Sequence, residues 1–403
     1  MTAVGRVGGS PANGPASQQD MRRRNLAVVL GTVAAHSPLS RADVAGRTGL
    51  TRAAVSSLVD ELIARGTLTE AATAPAGRVG RPGRALVVSD RGPASLGLEI
   101  GVGHLAACVA DLRGEPRVWR RVERANAGRP PAEVLAEAAA LAAEAEAEAA
   151  VHGLSVMGRV LAVPGVVPNE PRGLVEHAPN LGWHAVRPAD HWPDRDTVPD
   201  LENEANLGAL AELWREEHTG VTFVHVSAEA GIGAALVVGG QLFRGTRGFA
   251  GELGHVTVHP EGRPCACGAR GCLEQYAGVA AVLREAGLDG TGDAVVLLAE
   301  RATAGDPATL GALEGAGQAM GLALASAVNL IDPDGLVLGG AYAELAAWLL
   351  PAIRTELAAR VTVRPWEPEA VRASLLGRRG PVLGAALLTV RRLLADPTRL
   401  PAG

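Results

Sequence analysis

The stretch Gly251-Glu252-Leu253-Gly254-His255, followed by Cys265-Ala266-Cys267 and Gly271-Cys272-Leu273-Glu274, gathers three of the chain's four cysteines beside one histidine. One imidazole, His255, and three thiolates, Cys265, Cys267 and Cys272, form a Cys3His set that closes the tetrahedron Zn2+ favours and leaves no position for an activated water. The spacing predicts a structural zinc ion that shapes a loop and takes no part in chemistry. The alternatives are buried thiols or a disulfide, but a bridge across Cys-x-Cys is strained and the chain shows no secretory signature. Glu252 and Glu274 flank the ligands, so a polar pocket is expected beside the metal.

Outward from this loop, composition bounds what the site can serve. The chain has 403 residues and is 47% hydrophobic, enough to bury large cores in two or three domains. No apolar run is long enough to span a bilayer and the N-terminus lacks a signal-peptide core, so a cytoplasmic protein without a membrane partner is expected. Residues 1–20, rich in Gly, Pro, Ser and Gln, are expected to be a disordered tail. The net charge of −5 is unevenly divided, with 11 Arg against 6 acids in residues 1–90 and 27 Arg against 37 acids in the remainder. A basic head on an acidic body points to a polyanion met by the head alone. Lysine is absent from the chain, which excludes a Walker-type phosphate grip and Schiff-base chemistry.

The head, residues 21–90, has its own pattern. Asn25 to Ala35 reads as an apolar helix through Leu26, Val29, Leu30 and Val33, stopped by His36-Ser37-Pro38. A second helix starts at Ser40, with Asp43 at the capping-box position and Leu39 and Val44 able to staple it. After the Thr48-Gly49-Leu50 turn a third helix begins with Thr51 as N-cap. Val55, Leu58, Val59, Leu62 and Ile63 share its apolar face, while Arg52, Ala53, Ser56 and Ser57 share the other. This is the helix-turn-helix pattern, whose second helix enters a major groove. Two strands, Gly66 to Glu70 and Arg84 to Val88, surround the tip Gly77 to Gly83, which makes the head a winged helix. Thr51, Arg52, Ser56 and Ser57 in the groove, with Arg81 and Arg84 on the wing, are the expected contacts to double-stranded DNA.

After Arg91-Gly92-Pro93 strands alternate with helices. Ser95 to Val102, His104 to Leu112 and Arg117 to Glu123 read as three short strands, and an Ala/Glu-rich helix follows from Pro131 to about Ala150. A second round runs from Val221 to Ser227, through Gly231-Ile232-Gly233, to Ala234–Val238 and Leu242-Phe243. A helical stretch from Met320 to Leu330 leads to Leu336-Val337-Leu338-Gly339-Gly340. The repetition predicts two α/β lobes around a cleft.

These residues resemble the ROK family of repressors and sugar kinases, within the actin-like ATPase (ribonuclease H-like) fold. The resemblance covers most of the chain. It rests on Ala250 to His255, the spacing to the three cysteines, Gly271 to Glu274, Glu202-Asn203-Glu204-Ala205-Asn206, and Asn329 to Pro333 ahead of Gly339-Gly340. It implies a first lobe over 91–200 plus 381–396 and a second over 201–380. It further implies a sugar in the interlobe cleft, held by Asn203, Glu252, His255 and Glu274, with Asn180 a weaker candidate. Carboxylates and amides suit that role because each can engage adjacent hydroxyls, and His255 can ligate the metal through one ring nitrogen while the other faces the sugar.

Departures from the kinase pattern separate regulator from enzyme. Glu204 stands where the family's kinases carry an Asp base, and the extra methylene shifts the carboxylate by roughly 1 Å, enough to cost about a hundredfold. The first phosphate loop reads Glu99-Ile100-Gly101-Val102-Gly103 in place of Asp-x-Gly-Gly-Thr. In the second, Glu229 is expected to aim an uncompensated negative charge at the phosphates. The expectation is a sugar-responsive repressor without catalysis, acting as a homodimer or homotetramer on a pseudo-palindromic operator. The alternatives are an active hexose or N-acetylhexosamine kinase carrying a DNA-binding head, and a body that senses a protein partner.

Overall fold

The computed structural model describes residues 17–71, 84–215, 220–229, 231–289 and 293–401. The wing tip with Arg81, Ala230 of the second glycine loop and most of the expected N-terminal tail lie outside the described residues. The chain divides into two compact units, one up to Pro93 together with the chain from Arg391 onward, the other Ala94–Val390.

In the first unit, α1 (Gln18–His36) begins earlier than the apolar pattern suggests. Ser17 caps it by accepting from the Asp20 N–H, so residues 17–20 open this helix and are not part of a disordered tail. Helix α2 (Arg41–Thr48) carries the anticipated capping box between Ser40 and Asp43, and ends on Gly49 at φ 71°. Thr51 caps α3 (Arg52–Ala64), whose Val55, Leu58, Val59 and Leu62 are buried. Strands β1 (Leu68–Ala71) and β2 (Ala85–Val88) form an antiparallel ladder. Three helices followed by a two-stranded ladder is the element order of a winged helix-turn-helix.

The second unit is built twice on one plan. Strands β3 (Gly92–Ile100), β4 (His104–Asp111) and β5 (Pro116–Glu123) form an antiparallel meander, followed by α4 (Pro131–Val151), β6 (Leu154–Val163), the β7–β8 hairpin (Val175–Ala178, Trp183–Val186) and β9 (Asp200–Asn203). The sheet order is β5-β4-β3-β6-β9, with β9 parallel to β6. Helix α5 (Glu204–Arg215) leads to a second meander, β10 (Phe223–Ala228), β11 (Ile232–Val238) and β12 (Gln241–Phe243). Helices α6 (Glu274–Ala277), α7 (Val279–Glu285), α8 (Ala294–Thr303) and α9 (Pro307–Ile331) come next. Strand β13 (Gly335–Gly340), α10 (Ala341–Glu344), α11 (Ala346–Arg360), β14 (Val371–Ala373) and α12 (Gly380–Ala395) complete the chain's main elements. The second sheet, β12-β11-β10-β13-β14, repeats the order of the first. Strand β9 pairs with β6 in the first sheet, so the expected boundary between residues 200 and 201 falls inside a strand.

Small residues set the packing distances. On α9 a Cβ at Gly317 would lie 2.8 Å from the Leu349 carbonyl and one at Gly321 2.5 Å from Glu356 Cβ, so α11 can approach only because both are glycine. Helix α12 lies as closely on the first sheet, where a Cβ at Gly97 would stand 2.1 Å from the Val382 carbonyl and Ser95 donates its hydroxyl to the Ala386 carbonyl.

Candidate metal centre and carboxylate cleft

The segment Gly251–His255 runs beside β11, and its glycines are what permit this. Gly251 has φ 102°, its carbonyl accepts from the Ala234 N–H at 3.0 Å, and a Cβ there would collide with the Ala234 carbonyl. A Cβ at Gly254 would stand 2.4 Å from the Ile232 carbonyl. Glu252 and His255 are thereby fixed at the edge of the sheet.

The ligand atoms of His255, Cys265, Cys267 and Cys272 all lie within 4.8 Å of one another. No cysteine is bridged, and the Cys267 and Cys272 sulfurs stand 3.7 Å apart. That is the edge of a tetrahedron of Zn–S bonds of about 2.3 Å, roughly 3.8 Å, and nearly twice a disulfide length. The quartet could hold a metal ion. His255 turns Nδ1 to Cys265 Sγ at 3.9 Å and Nε2 to Glu252 Oε2 at 3.9 Å, so one ring joins the thiolate cluster to the neighbouring carboxylate.

Across the cleft, Glu274 heads α6 and its Oε2 accepts from the Ile232 N–H at 3.0 Å. A Cβ placed on Gly231 would meet Glu274 Oε2 at 2.6 Å and Asn180 Nδ2 at 2.9 Å. Glu274 from the second lobe and Asn180 from the β7–β8 turn of the first therefore converge over a bare backbone. Burial, reinforced by Glu274, pushes the Glu252 carboxyl above its ordinary value, against an opposing pull from His255. Asn203 ends β9 with its amide already engaged. Its Nδ2 donates to the Gly165 carbonyl at 2.7 Å and its Oδ1 accepts from the Asn206 N–H, which caps α5. No hydrogen bond among the described residues ties Asn203 to the Asn180–Glu274 group. Beneath it, buried Glu202 pairs with Arg244 of the second lobe, and Asn169 donates its N–H to the Arg247 carbonyl at 2.9 Å and its Nδ2 to the Gly245 carbonyl at 3.1 Å. Arg244 carries no local sign of this role, because its partner Glu202 lies on another sheet.

The opposite end of the cleft differs from expectation. Glu229 is not an uncompensated charge: Arg378 grips both its oxygens at 2.9 Å and reaches Asp293, the N-cap of α8, at 2.7 Å. Burial pushes the Glu229 carboxyl up, and the guanidinium pulls it down. In the first glycine loop the imidazole of His104, buried with Glu99, stands 3.2 Å from Glu99 Oε1. It covers Gly101 so closely that a Cβ there would lie 2.2 Å from the ring. Half-buried Glu204 opens α5; burial, with the charges of Glu99 and Glu229, pushes its carboxyl up to about 8. Around the two glycine loops stand the carboxylates of Glu99, Glu204 and Glu229, the imidazole of His104 and a guanidinium committed to Glu229 and Asp293.

In the head, Arg52 and Ser57 are exposed on α3, Ser56 is half-buried, and the Thr51 hydroxyl accepts from the Ala54 N–H as the cap. Arg84 is held by Glu70 at 2.9 Å.

The model of the ROK family matches residues 95–392. A putative xylose repressor of Caldicellulosiruptor sp. is 29% identical over 94% of this chain and 98% of its own length. Among solved structures, a ROK family transcriptional regulator described as a homologue of the E. coli MLC protein superposes with a TM-score of 0.76 at 23% identity, over 94% of this chain and 98% of that one. A ROK family glucokinase from Streptomyces griseus, solved with glucose and AMPPNP, superposes with a TM-score of 0.62 at 28% identity, over 73% of this chain and 98% of that one.

Proposed function

The chain belongs to the ROK family, and from that premise we propose that it is a sugar-responsive transcriptional repressor in which a kinase-like body serves as the sensor. The observation that carries this reading is the nucleotide end of the cleft, filled by the protein's own Glu229–Arg378–Asp293 and Glu99–His104 groups. The similarities agree with it: the repressor and the regulator match head and body together, whereas the glucokinase matches about three quarters of the chain.

In this reading the sugar lies among Asn180, Glu252, His255 and Glu274, with Asn203 on the first lobe's wall. Zn2+ is the metal held by His255, Cys265, Cys267 and Cys272, because a thiolate-rich set of four suits it and leaves no open position. When bound, the ion would fix the loop and orient His255; it supplies no step of chemistry. Thr51, Arg52, Ser56, Ser57, Arg81 and Arg84 face DNA, and two copies place two heads on a pseudo-palindromic operator. Sugar shifts the lobes between two arrangements, and a coupling of about 1–3 kcal/mol changes operator affinity roughly 5–150-fold. No helix among the described residues is long and apolar enough to cross a membrane.

The test is calorimetry with a panel of pentoses and hexoses, headed by xylose, beside ATP and an ATP-coupled phosphorylation assay. Saturable heat from a sugar, no heat from ATP and no turnover are expected. Phosphorylation at enzymatic rates, abolished by Glu204→Gln, would reject the reading.

A further inference from the structure

Of the chain's four cysteines only Cys267 is exposed, while Cys108, Cys265 and Cys272 are buried. The three in the quartet differ in what already holds them. Cys265 faces His255 Nδ1 and accepts from Gln275 Nε2 at 3.8 Å, so its sulfur is engaged. Cys272 is anchored through its backbone, in a bridge with Thr257 and next to Leu273, whose N–H donates to the Val256 carbonyl at 2.9 Å. Cys267 sits on a tip whose residues 266–270 are all exposed, turned by Gly268 at φ 91°. A Cβ on that glycine would meet nothing within 4 Å, so the tip has open space beside it. The Cys267 and Cys272 sulfurs stand 3.7 Å apart, and a bond between them needs an approach of roughly 1.7 Å.

An exposed sulfur with a buried neighbour in reach has the layout of an oxidisable pair. Peroxides react with thiolates they can reach, so susceptibility follows thiolate character and exposure. A metal ion in the quartet keeps its coordinating thiols deprotonated, and Cys267 then meets both conditions. The second sulfur is Cys272, because a bridge from Cys267 to Cys265 would close the strained Cys-x-Cys ring.

We propose that Cys267 is a modification site for hydroperoxides, with Cys272 as its resolving partner. The Cys267 thiolate attacks one peroxide oxygen, the O–O bond breaks and hydroxide leaves, so that Cys267 carries a sulfenic acid. The Cys272 thiolate then attacks that sulfur, the S–O bond breaks and a second hydroxide leaves. Two electrons pass from the two sulfurs to the peroxide, and one disulfide forms. His255 and Cys265 are left as a set of two, too few to retain a structural metal. Oxidation thereby unfastens the loop that sets His255 beside Glu252, and reduction restores it. The release of metal rests on the zinc reading given above, whereas the disulfide rests on the two sulfurs alone.

Full-length protein loaded with zinc is treated with substoichiometric hydrogen peroxide. Peptide mass spectrometry maps the oxidised residues, and a chromogenic chelator reads the zinc set free. A Cys267–Cys272 disulfide is expected, formed in step with zinc release, and both should be reversed by dithiothreitol and added zinc. In Cys272→Ser the reaction should stop at the sulfenic acid, trapped on Cys267 by dimedone. Cys267→Ser should slow oxidation at least about tenfold, because the thiols that remain are buried, and Cys108→Ser should behave as the parent. The same disulfide in protein that takes up no zinc would support the modification site and reject the metal reading. A first oxidation mapped to Cys265 or Cys272, an unchanged rate in Cys267→Ser, or a bridged protein that keeps its zinc would overturn the proposal.

Discussion

Arg378 holds both carboxylate oxygens of Glu229 at 2.9 Å, although the two residues stand 149 positions apart in the chain. Both side chains are less than one-fifth exposed, so each charge depends on the other for its solvation. Arg378→Ala strands Glu229 and Asp293 together and is expected to lower stability by about 2–3 kcal/mol, less than the roughly 3–5 kcal/mol of a fully buried pair. The double change Glu229→Gln with Arg378→Met should recover much of that loss. Urea denaturation of the three proteins measures it, and no difference between the single and double variants would show that the pair is not coupled.

The carboxyl of Glu204 is pushed up to about 8 from its ordinary 4.5 by burial, Glu99 and Glu229. A carboxyl that titrates higher when folded binds its proton more tightly in the native state. Its stabilising contribution is therefore complete below about pH 4.5 and is lost as the pH rises through about 8. Glu204→Gln should leave thermal stability near pH 5 almost unchanged and raise Tm at pH 9 by about 2–4 °C, on the order of 1 kcal/mol. Parallel melting curves of the two proteins across that range would contradict the shift.

His255 links the thiolate cluster to Glu252, so metal and sugar affinity should move together. Removing the metal with a chelator, or replacing Cys272 by Ser, is expected to weaken sugar binding about 10–100-fold, the usual effect of disturbing the support of such a site. Elemental analysis should give one zinc per chain before treatment. Full sugar affinity in metal-free, folded protein would separate the two sites.

The convergence of Asn180 and Glu274 over Gly231 supplies a sharper test than removing either polar group. In Gly231→Ala the new methyl stands 2.6 Å from Glu274 Oε2 and 2.9 Å from Asn180 Nδ2, so both must retreat. Sugar affinity should fall at least about tenfold with Tm within a few degrees of the parent, because a misplacement near 1 Å suffices. Unaltered sugar binding would move the ligand away from this pair.

Local chemistry was legible in the sequence and long-range pairing was not. The Ser40–Asp43 capping box, the Thr51 cap and the metal quartet each draw on residues close in the chain, where spacing dictates geometry. The two meanders were readable for the same reason, since hairpin strands are sequence neighbours. Strand β9 is not legible because four residues show too little alternation, and its parallel partner β6 lies about forty residues earlier. Glu229 looks uncompensated in a chain without Lys because only tertiary folding brings Arg378 to it, from 149 positions away. The helical start at Gln18 escaped because Gln18 to Arg24 offers no apolar periodicity, only the Ser17 cap.

The head allows a graded prediction, because its two candidate arginines differ in what already holds them. Arg52 is exposed at the first turn of α3, while Arg84 is paired with Glu70, which Arg41 also approaches at 3.1 Å. A phosphate must compete with Glu70 for Arg84, whereas no carboxylate among the described residues holds Arg52. Arg52→Ala should therefore weaken operator binding more than Arg84→Ala, and reduce the slope of log K against log salt by about one, as expected for a single lost phosphate contact. Glu70→Gln frees Arg84 and should tighten binding at low salt. Fluorescence anisotropy over a salt series reads all three, and the reverse ranking of the two arginine variants would place the wing strand, not the start of α3, against the duplex.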